Sequence, residues 1–449
     1  MIPIPLPTTI EGSRLTPKHS RYTNNLIPSQ DALLSRPACT KVETLAVGQP
    51  RGIFEFKGVI YSVFGQNLFR GTNGLTRIGK IDGTGKISVA VDFEKVAIAT
   101  GESNYILGTE LVKIYDRDLP ACRSVCVIDG IFVWVPLDGS PVCWSEIGRP
   151  SQIRAASFFD AEQLPDKNRI CANIRNDLFI FGDESIERFR NIGDASQPFV
   201  RVNGSIVSVG FVGGLVETQD SFLFIGQDKD GGFAVYVFDS AQVVQISSEA
   251  INEILNTQYT ITDLRNAEGQ RFNWHGKDCY VFSIKDRDFI VTRGATGFNW
   301  GYLSSGSNKG FFEFDKWGYR NAKFHKNSGK WFCQRSDGLF EFTYDDKDTD
   351  GEFIRSFRTY ISPETRQMMI LNSMKLGVAQ THEKGSVGLS MSRDGLLYCD
   401  PFFVPTGGQY DNEVVFGPAG GLGYYDGYAG IQISTTSNIA FAVDSIIVS

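Results

Sequence analysis

Histidine is scarce in this sequence: four residues among 449, at His19, His275, His325 and His382. Few nitrogen ligands are therefore on offer to a transition metal, and few side chains titrate near neutral pH. There is no HExxH, no P-loop, no GxSxG elbow and no Rossmann glycine fingerprint in context, so no sequence ground appears for those chemistries. No apolar run approaches the roughly 18 residues that a membrane-spanning helix needs. An excess of positive charge is missing too. Lys and Arg number 44 against 51 Asp and Glu, a formal net charge of −7. A non-specific nucleic-acid binder would carry a basic field instead. The eight cysteines are sparse and scattered, unlike the dense spacing of a small secreted scaffold. Most sit in apolar runs such as "SVCVIDG" and "WFCQ", where a free Cys acts as a small buried hydrophobe. The start, "MIPIPLPTTIEGS", has neither a basic n-region nor an apolar h-region, so it does not read as a signal peptide. The expectation is a soluble protein made in a reducing cytoplasm, without membrane insertion.

What is abundant is strand and turn material: 47 Gly, 34 Phe and 16 Tyr. Residues 1–45 form a separate Pro-rich arm. Pro3, Pro5, Pro7, Pro17, Pro28 and Pro37 forbid a continuous helix or a central strand, so the arm is extended and orders only along another surface. Over residues 46–344 a unit recurs: a short apolar strand, a polar break, a strongly apolar strand, then a turn into a third. Aligned on the break, seven copies fall near Gly58, Glu94, Gly130, Asn176, Gln219, Gly276 and Ser328. Their period grows from about 36 to about 50 residues, the range of propeller blades. Breaks such as "DG" and "ND" are hairpin chemistry, because Asn, Asp and Gly accept the positive φ of tight turns. Alternation inside the strands is partial, as expected when neighbouring blades cover both faces. The fold class is all-β: a β-propeller, with seven blades favoured and six if one copy is an insertion. Residues 245–270 read as a small helical insertion outside the ring. Ser247 or Ser248 would cap it, and Ile251, Ile254 and Leu255 share one face. Residues 345–352 form an acidic linker, and residues 353–449, alternating with period two, a C-terminal β-sandwich-like domain.

Candidate chemistry is thin. Cys122, Cys126 and Cys143 lack a fourth ligand nearby, and His275 and His325 sit beside hairpin breaks. The metal candidate is Asp346, Asp348, Asp350 and Gly351, which match the first half of an EF-hand loop. Its twelfth position is Phe357, where that loop needs a bidentate Glu, so the stretch reads as a solvated linker and no metal is assigned. Propeller glycosidases place paired acids at the central funnel. Asp183, Glu184, Glu187 and Asp220 are candidates by type alone, and the alternative function is a carbohydrate-binding or carbohydrate-active propeller. The Gly- and Tyr-rich stretch from Gly417 to Gly430 would be the place for a receptor-binding surface. No catalytic residue and no cofactor is assigned.

One stretch carries a resemblance. "NDLFIFGDESIERFRNIG" places Phe181-Gly182, then Asp183-Glu184-Ser185, then Ile186-Glu187 with Phe189, followed by small-residue turns at Gly204-Ser205 and Gly210. It resembles the packaged-DNA stabilisation proteins, the tail accessory, hub or nozzle proteins of short-tailed bacteriophages. "RYTNNLIPSQD", "GQPRGIFEFKGVIYSVFGQNLFRG" and "QISSEAINEILNTQY" resemble that family's arm, first blade and interrupting helix, in order from about residue 20 to 345. The resemblance implies a non-enzymatic virion tail protein that is assembled in the host cytoplasm. It implies a homo-oligomeric ring, a hexamer, below a portal or portal-adaptor protein. Needle, spike or fibre proteins would be further partners. Genomic DNA would pass through the lumen without sequence-specific binding.

Overall fold

The computed structural model describes residues 2–12, 17–29, 32–44, 48–159, 166–218, 220–239, 242–295, 297–310, 313–345, 347–363, 367–378, 385–406, 412–436 and 441–449. Seven antiparallel four-stranded blades follow one another around a ring. Their leading strands are Pro50–Phe56, Ser88–Val91, Cys122–Ile128, Asn168–Ile174, Gly210–Glu217, Glu268–Trp274 and Arg320–His325. Each leading strand packs beside the next, and the seventh returns to the first. The polar breaks of the sequence are the hairpins between first and second strands. The fifth break, Gln219, lies outside the described residues. At the fourth, Arg175 and Asn176 both have positive φ (52° and 63°), the geometry of a type I′ turn.

Blade faces are buried on both sides because the hydrophobic clusters lie between blades. Phe54, Tyr61 and Val63 of the first blade join Val96, Ile98 and Tyr105 of the second. Phe179 and Phe181 of the fourth join Phe222 and Phe224 of the fifth. A strand covered on both faces loses period-two alternation, which explains the near-continuous apolar runs. Between the fifth and sixth blades the chain makes two short helices, α1 (Glu249–Gln258) and α2 (Ile261–Arg265). Ser248 caps α1 by accepting from the Ile251 N–H, and Thr260 forms a capping box with Asp263 in α2. Ile251, Ile254 and Leu255 turn into the cluster shared by these two blades.

The arm is woven into both halves of the molecule. Ala38–Thr44 supplies the outer strand of the seventh blade, antiparallel to Gly338–Thr343. Four further arm strands enter the C-terminal sandwich. Leu26–Pro28 and Leu33–Ser35 extend one sheet beside Ala442–Val448, which Ile2–Ile4 also pairs. Pro3 and Pro28 thus sit on edge strands, where a missing N–H is tolerated. Tyr22–Asn24 enters the other sheet beside Arg355–Ile361. Its opposite edge bridges in parallel to the sixth blade at Asn24 and Tyr302, so one sheet runs from propeller to sandwich. Ile4, Leu26 and Leu33 fill the sandwich core with Phe357, Leu376, Ile431 and Val443.

Where arm, propeller and sandwich meet, Asn25 and Arg36 form a buried polar hub. Asn25 is left-handed (φ 57°), as Asn tolerates, and turns the arm from one sheet to the other. Its Nδ2 donates to Ser304 Oγ (2.9 Å) and the Ile354 carbonyl (2.7 Å). Its Oδ1 accepts from Arg36 Nε and the Ser304 N–H, both at 2.9 Å. Arg36 grips Asp348 through two bonds of 3.0 and 2.7 Å and donates to the carbonyls of Pro37 and Ser304. Burial works against the Arg36 charge, but Asp348 outweighs it and raises the guanidinium pKa. Asp348 also accepts the Cys39 N–H at 2.8 Å, which ties the hub to the closing strand.

Two outcomes are expected. Asp348→Ala leaves the Arg36 charge buried and unpaired, so it should cost about 3–5 kcal/mol in a urea unfolding curve. Seven of the eight cysteines are buried and free and Cys399 is exposed, so a thiol reagent should titrate one group in the native protein and eight in urea.

Candidate functional site

The leading strands enclose a central channel with two lobes. One, about 490 Å³, is lined by strands of the second to fifth blades; the other, about 790 Å³, by those of the first, fifth, sixth and seventh. Leu215 and Glu217 line both lobes. Glu217 stands in the lumen opposite Lys86 and Lys323. Desolvation raises its carboxyl pKa, and those two lysines partly offset the shift. The lower rim is fastened between the last and first blades: His325 bonds Ser328 Oγ (2.8 Å) and the Gly58 carbonyl (3.0 Å), and Asn327 Nδ2 donates to the same carbonyl (2.9 Å). Gly58 is needed there. Its φ is +72°, and a Cβ would lie 2.4 Å from Asn327 Nδ2.

The acids singled out by type do not gather in the channel. Asp183 holds Arg169 through two bonds of 2.6 Å, with Arg265 at 3.4 Å. Glu187 is buried under Arg201 at 2.7 Å, Asp220 pairs with Arg175 at 3.4 Å, and Glu184 is exposed. Of the metal candidates, Asp348 belongs to the hub, Asp350 pairs with Arg335, and Asp346 lies outside the described residues. Among the described residues no three His, Cys, Asp or Glu side chains gather as a metal site. Cys122 and Cys126 lie on one strand as read, and burial pushes both thiols up, in Cys126 after contact with Cys171. His19 stacks edge-on to Tyr360 and His275 occupies the hairpin turn of the sixth blade; His382 is outside the described residues.

The "FGDESIE" stretch has a physical reason for its order. Asp166 Oδ2 accepts the N–H groups of Glu184 and Ser185, each at 2.8 Å, and the Ser185 hydroxyl at 3.2 Å. That carboxylate fits only because residue 182 is Gly: a Cβ would lie 2.4 Å from both of its oxygens. At the hairpin's other end, buried Asp177 collects Arg188 (2.8 Å) and Arg190 (2.9 Å). Burial raises its pKa, but the two guanidinium groups win and hold the carboxyl below the usual range. The motif is a turn lock.

The sandwich carries an exposed apolar ribbon. Met368–Leu371 and Gly423–Asp426 form a two-stranded ribbon, with Ile370 opposite Tyr424. Met368, Ile370 and Tyr424 are 72%, 68% and 59% exposed, while Leu371 and Tyr425 on the other face are buried in the sandwich core. Arg393 lies over the Tyr424 ring at 4.7 Å. Leu397 and Phe403 are exposed nearby in the chain. Part of the Gly- and Tyr-rich stretch is therefore a strand. Sequence reasoning missed this ribbon, the Asn25–Arg36 hub and the channel cations; alternation in "QMMIL" was the available signal for the ribbon.

Residues 21–339 match the family model for phage stabilisation, described as bacteriophage P22 Gp10, β-propeller. A search of curated proteins finds no match. Among solved structures the chain is similar to the extracellular domain of a one-component system from B. thetaiotaomicron, at 10% identity and TM-score 0.46. That likeness covers 84% of this chain and 47% of the other, so the chain spans about half of that relative. It is also similar to BamB from Moraxella catarrhalis, at 11% identity and TM-score 0.38, over 70% of this chain and 92% of that one.

The turn lock can be tested directly. Gly182→Ala should push the Asp166 carboxylate off the turn and destabilise the protein by about 1–3 kcal/mol in thermal or urea unfolding. Asp166→Ala in the same background should add little further loss, because both changes break one contact.

Proposed function

The chain belongs to the phage-stabilisation family, the β-propeller family of bacteriophage P22 Gp10, and from that premise we propose that it forms a ring below the portal of a short-tailed phage. The family makes it a structural β-propeller protein of the virion. In the proposed role, six copies extend the DNA channel, help retain the packaged genome, and offer a platform to needle, spike or fibre proteins. Assembly takes place in the host cytoplasm. The role is structural, not enzymatic.

The observation that carries this reading is the family match across nearly the whole propeller, residues 21–339. Further features support it. A rigid body wired through one continuous sheet suits a load-bearing ring, because heterologous contacts close only when the protomer holds its shape. The exposed ribbon of Met368, Ile370 and Tyr424 offers an apolar surface for a partner. A chain of net charge −7 suits a conduit, since a ring passage between protomers, distinct from the channel inside each propeller, would impede ejection if it bound phosphate tightly.

The mass of the purified protein, alone and with its portal, tests the proposal by light scattering. A discrete ring, or a monomer that joins the portal at six copies per twelve portal subunits, is the expected result. A monomer that ignores the portal would overturn it.

A further inference from the structure

The propeller channel is more basic than the chain around it. Its walls present Lys57, Lys86, Arg123, Arg265, Lys323 and Lys326 against Glu55 and Glu217, in a chain whose formal net charge is −7. Arg271 also lines it, paired with Asp278 at 2.9 Å.

The excess is sharpest at the mouth where the leading strands begin. Lys86 precedes the second blade's leading strand. Arg123 and Arg169 are each the second residue of theirs, and Arg265 ends α2 just ahead of the sixth blade. Lys86, Arg123 and Arg265 line one lobe together. Asp183 and Glu217 are the carboxylates among them: Arg169 already engages both oxygens of Asp183, with Arg265 at 3.4 Å, and Glu217 faces Lys86. Asp183 and, to a smaller extent, Asp138 act on Arg123 in the opposite sense to its cationic neighbours. Arg123 donates from Nη2 to the Leu137 carbonyl, and its Nε is buried without a hydrogen-bond partner among the described residues. Its pKa is lowered first by burial and then by Arg169, with Arg265 adding to the same effect. Lys86 reaches over the channel to the Gly269 carbonyl at 3.5 Å. Like charges are held together here with too few carboxylates to neutralise them.

We propose that this mouth binds one phosphate-sized oxyanion between Arg123, Arg265 and Lys86, with the Arg169–Asp183 pair fixed behind them. Two guanidinium forks suit a tetrahedral oxyanion, and the Lys86 ammonium adds a further charged donor. A lobe of about 490 Å³ holds a small ligand but not a DNA duplex. The site lies inside a single propeller, so it does not rest on the ring proposed above.

Calorimetric titration of the full chain with inorganic phosphate at low ionic strength tests this. One saturable site is expected, weakened about tenfold by Arg123→Gln and by Arg265→Gln. Arg123→Lys, which keeps the charge and loses the fork, should fall between. Arg393→Gln in the sandwich should bind as the parent does, and melting curves check that each variant is folded. No saturable heat, or Arg123→Gln binding like the parent, overturns the site. A short 5′-phosphorylated oligonucleotide and its unphosphorylated twin separate two sources of the anion. Displacement by the phosphorylated form alone supports a nucleic-acid end, and displacement by neither supports free phosphate. Equal displacement by both means diffuse backbone attraction and overturns the site.

Discussion

The buried contact of Arg36 with Asp348, completed by Asn25, is the constraint on which the architecture depends. A guanidinium and a carboxylate taken out of water are tolerable only when nearly every remaining donor and acceptor is met. Here Asn25, the Pro37 and Ser304 carbonyls and the Cys39 N–H meet them. Those partners come from the arm, the sixth blade and the segment after the seventh blade, so the charges are satisfied only when all three are docked. The hub therefore does more to specify one arrangement than to add net stability.

Closure of the ring follows from the same contact. Cys39, held by Asp348, begins the strand that completes the seventh blade, and Phe340 and Phe342 then pack with Trp317 and Phe272 between the last two blades. The arm's earlier residues continue past the hub into the sandwich. Propeller and sandwich thus share a strand, a sheet and a polar hub, and a hinge between them would break all three.

Most of the propeller was legible because its determinants are local. Each hairpin joins neighbouring strands through residues such as Asp129-Gly130 and Asn176, and the helix announces itself with Ser248 and an apolar face. The destination of the arm was not legible. Arg36 and Asp348 are 312 residues apart, and nothing local in "SRPACT" marks a closing strand. Candidate acids failed as a guide for a related reason. Asp183 and Glu187 occur in turns and strands like many others, and only their arginine partners, set by blade pairing, decide what they do. The channel cations were hidden too, because residues at the heads of different blades converge only in three dimensions.

Such topology has a kinetic consequence. The strand that closes the last blade is made before any blade, and its partner, Gly338–Thr343, is made some 300 residues later. Until then the arm has no sheet to join, and the sandwich lacks Leu26–Pro28 and Leu33–Ser35. Long-range pairing of this kind is slow because loop closure must precede the contacts that reward it. The Pro-rich composition suits that wait: Pro3, Pro5 and Pro7 keep the unpaired arm extended and poor at pairing with wrong edges. Tyr22–Asn24 and Leu33–Ser35 do end as central strands. The prolines that stay on edge strands, Pro3 and Pro28, therefore help to protect the arm until the last two blades and the sandwich give it a place.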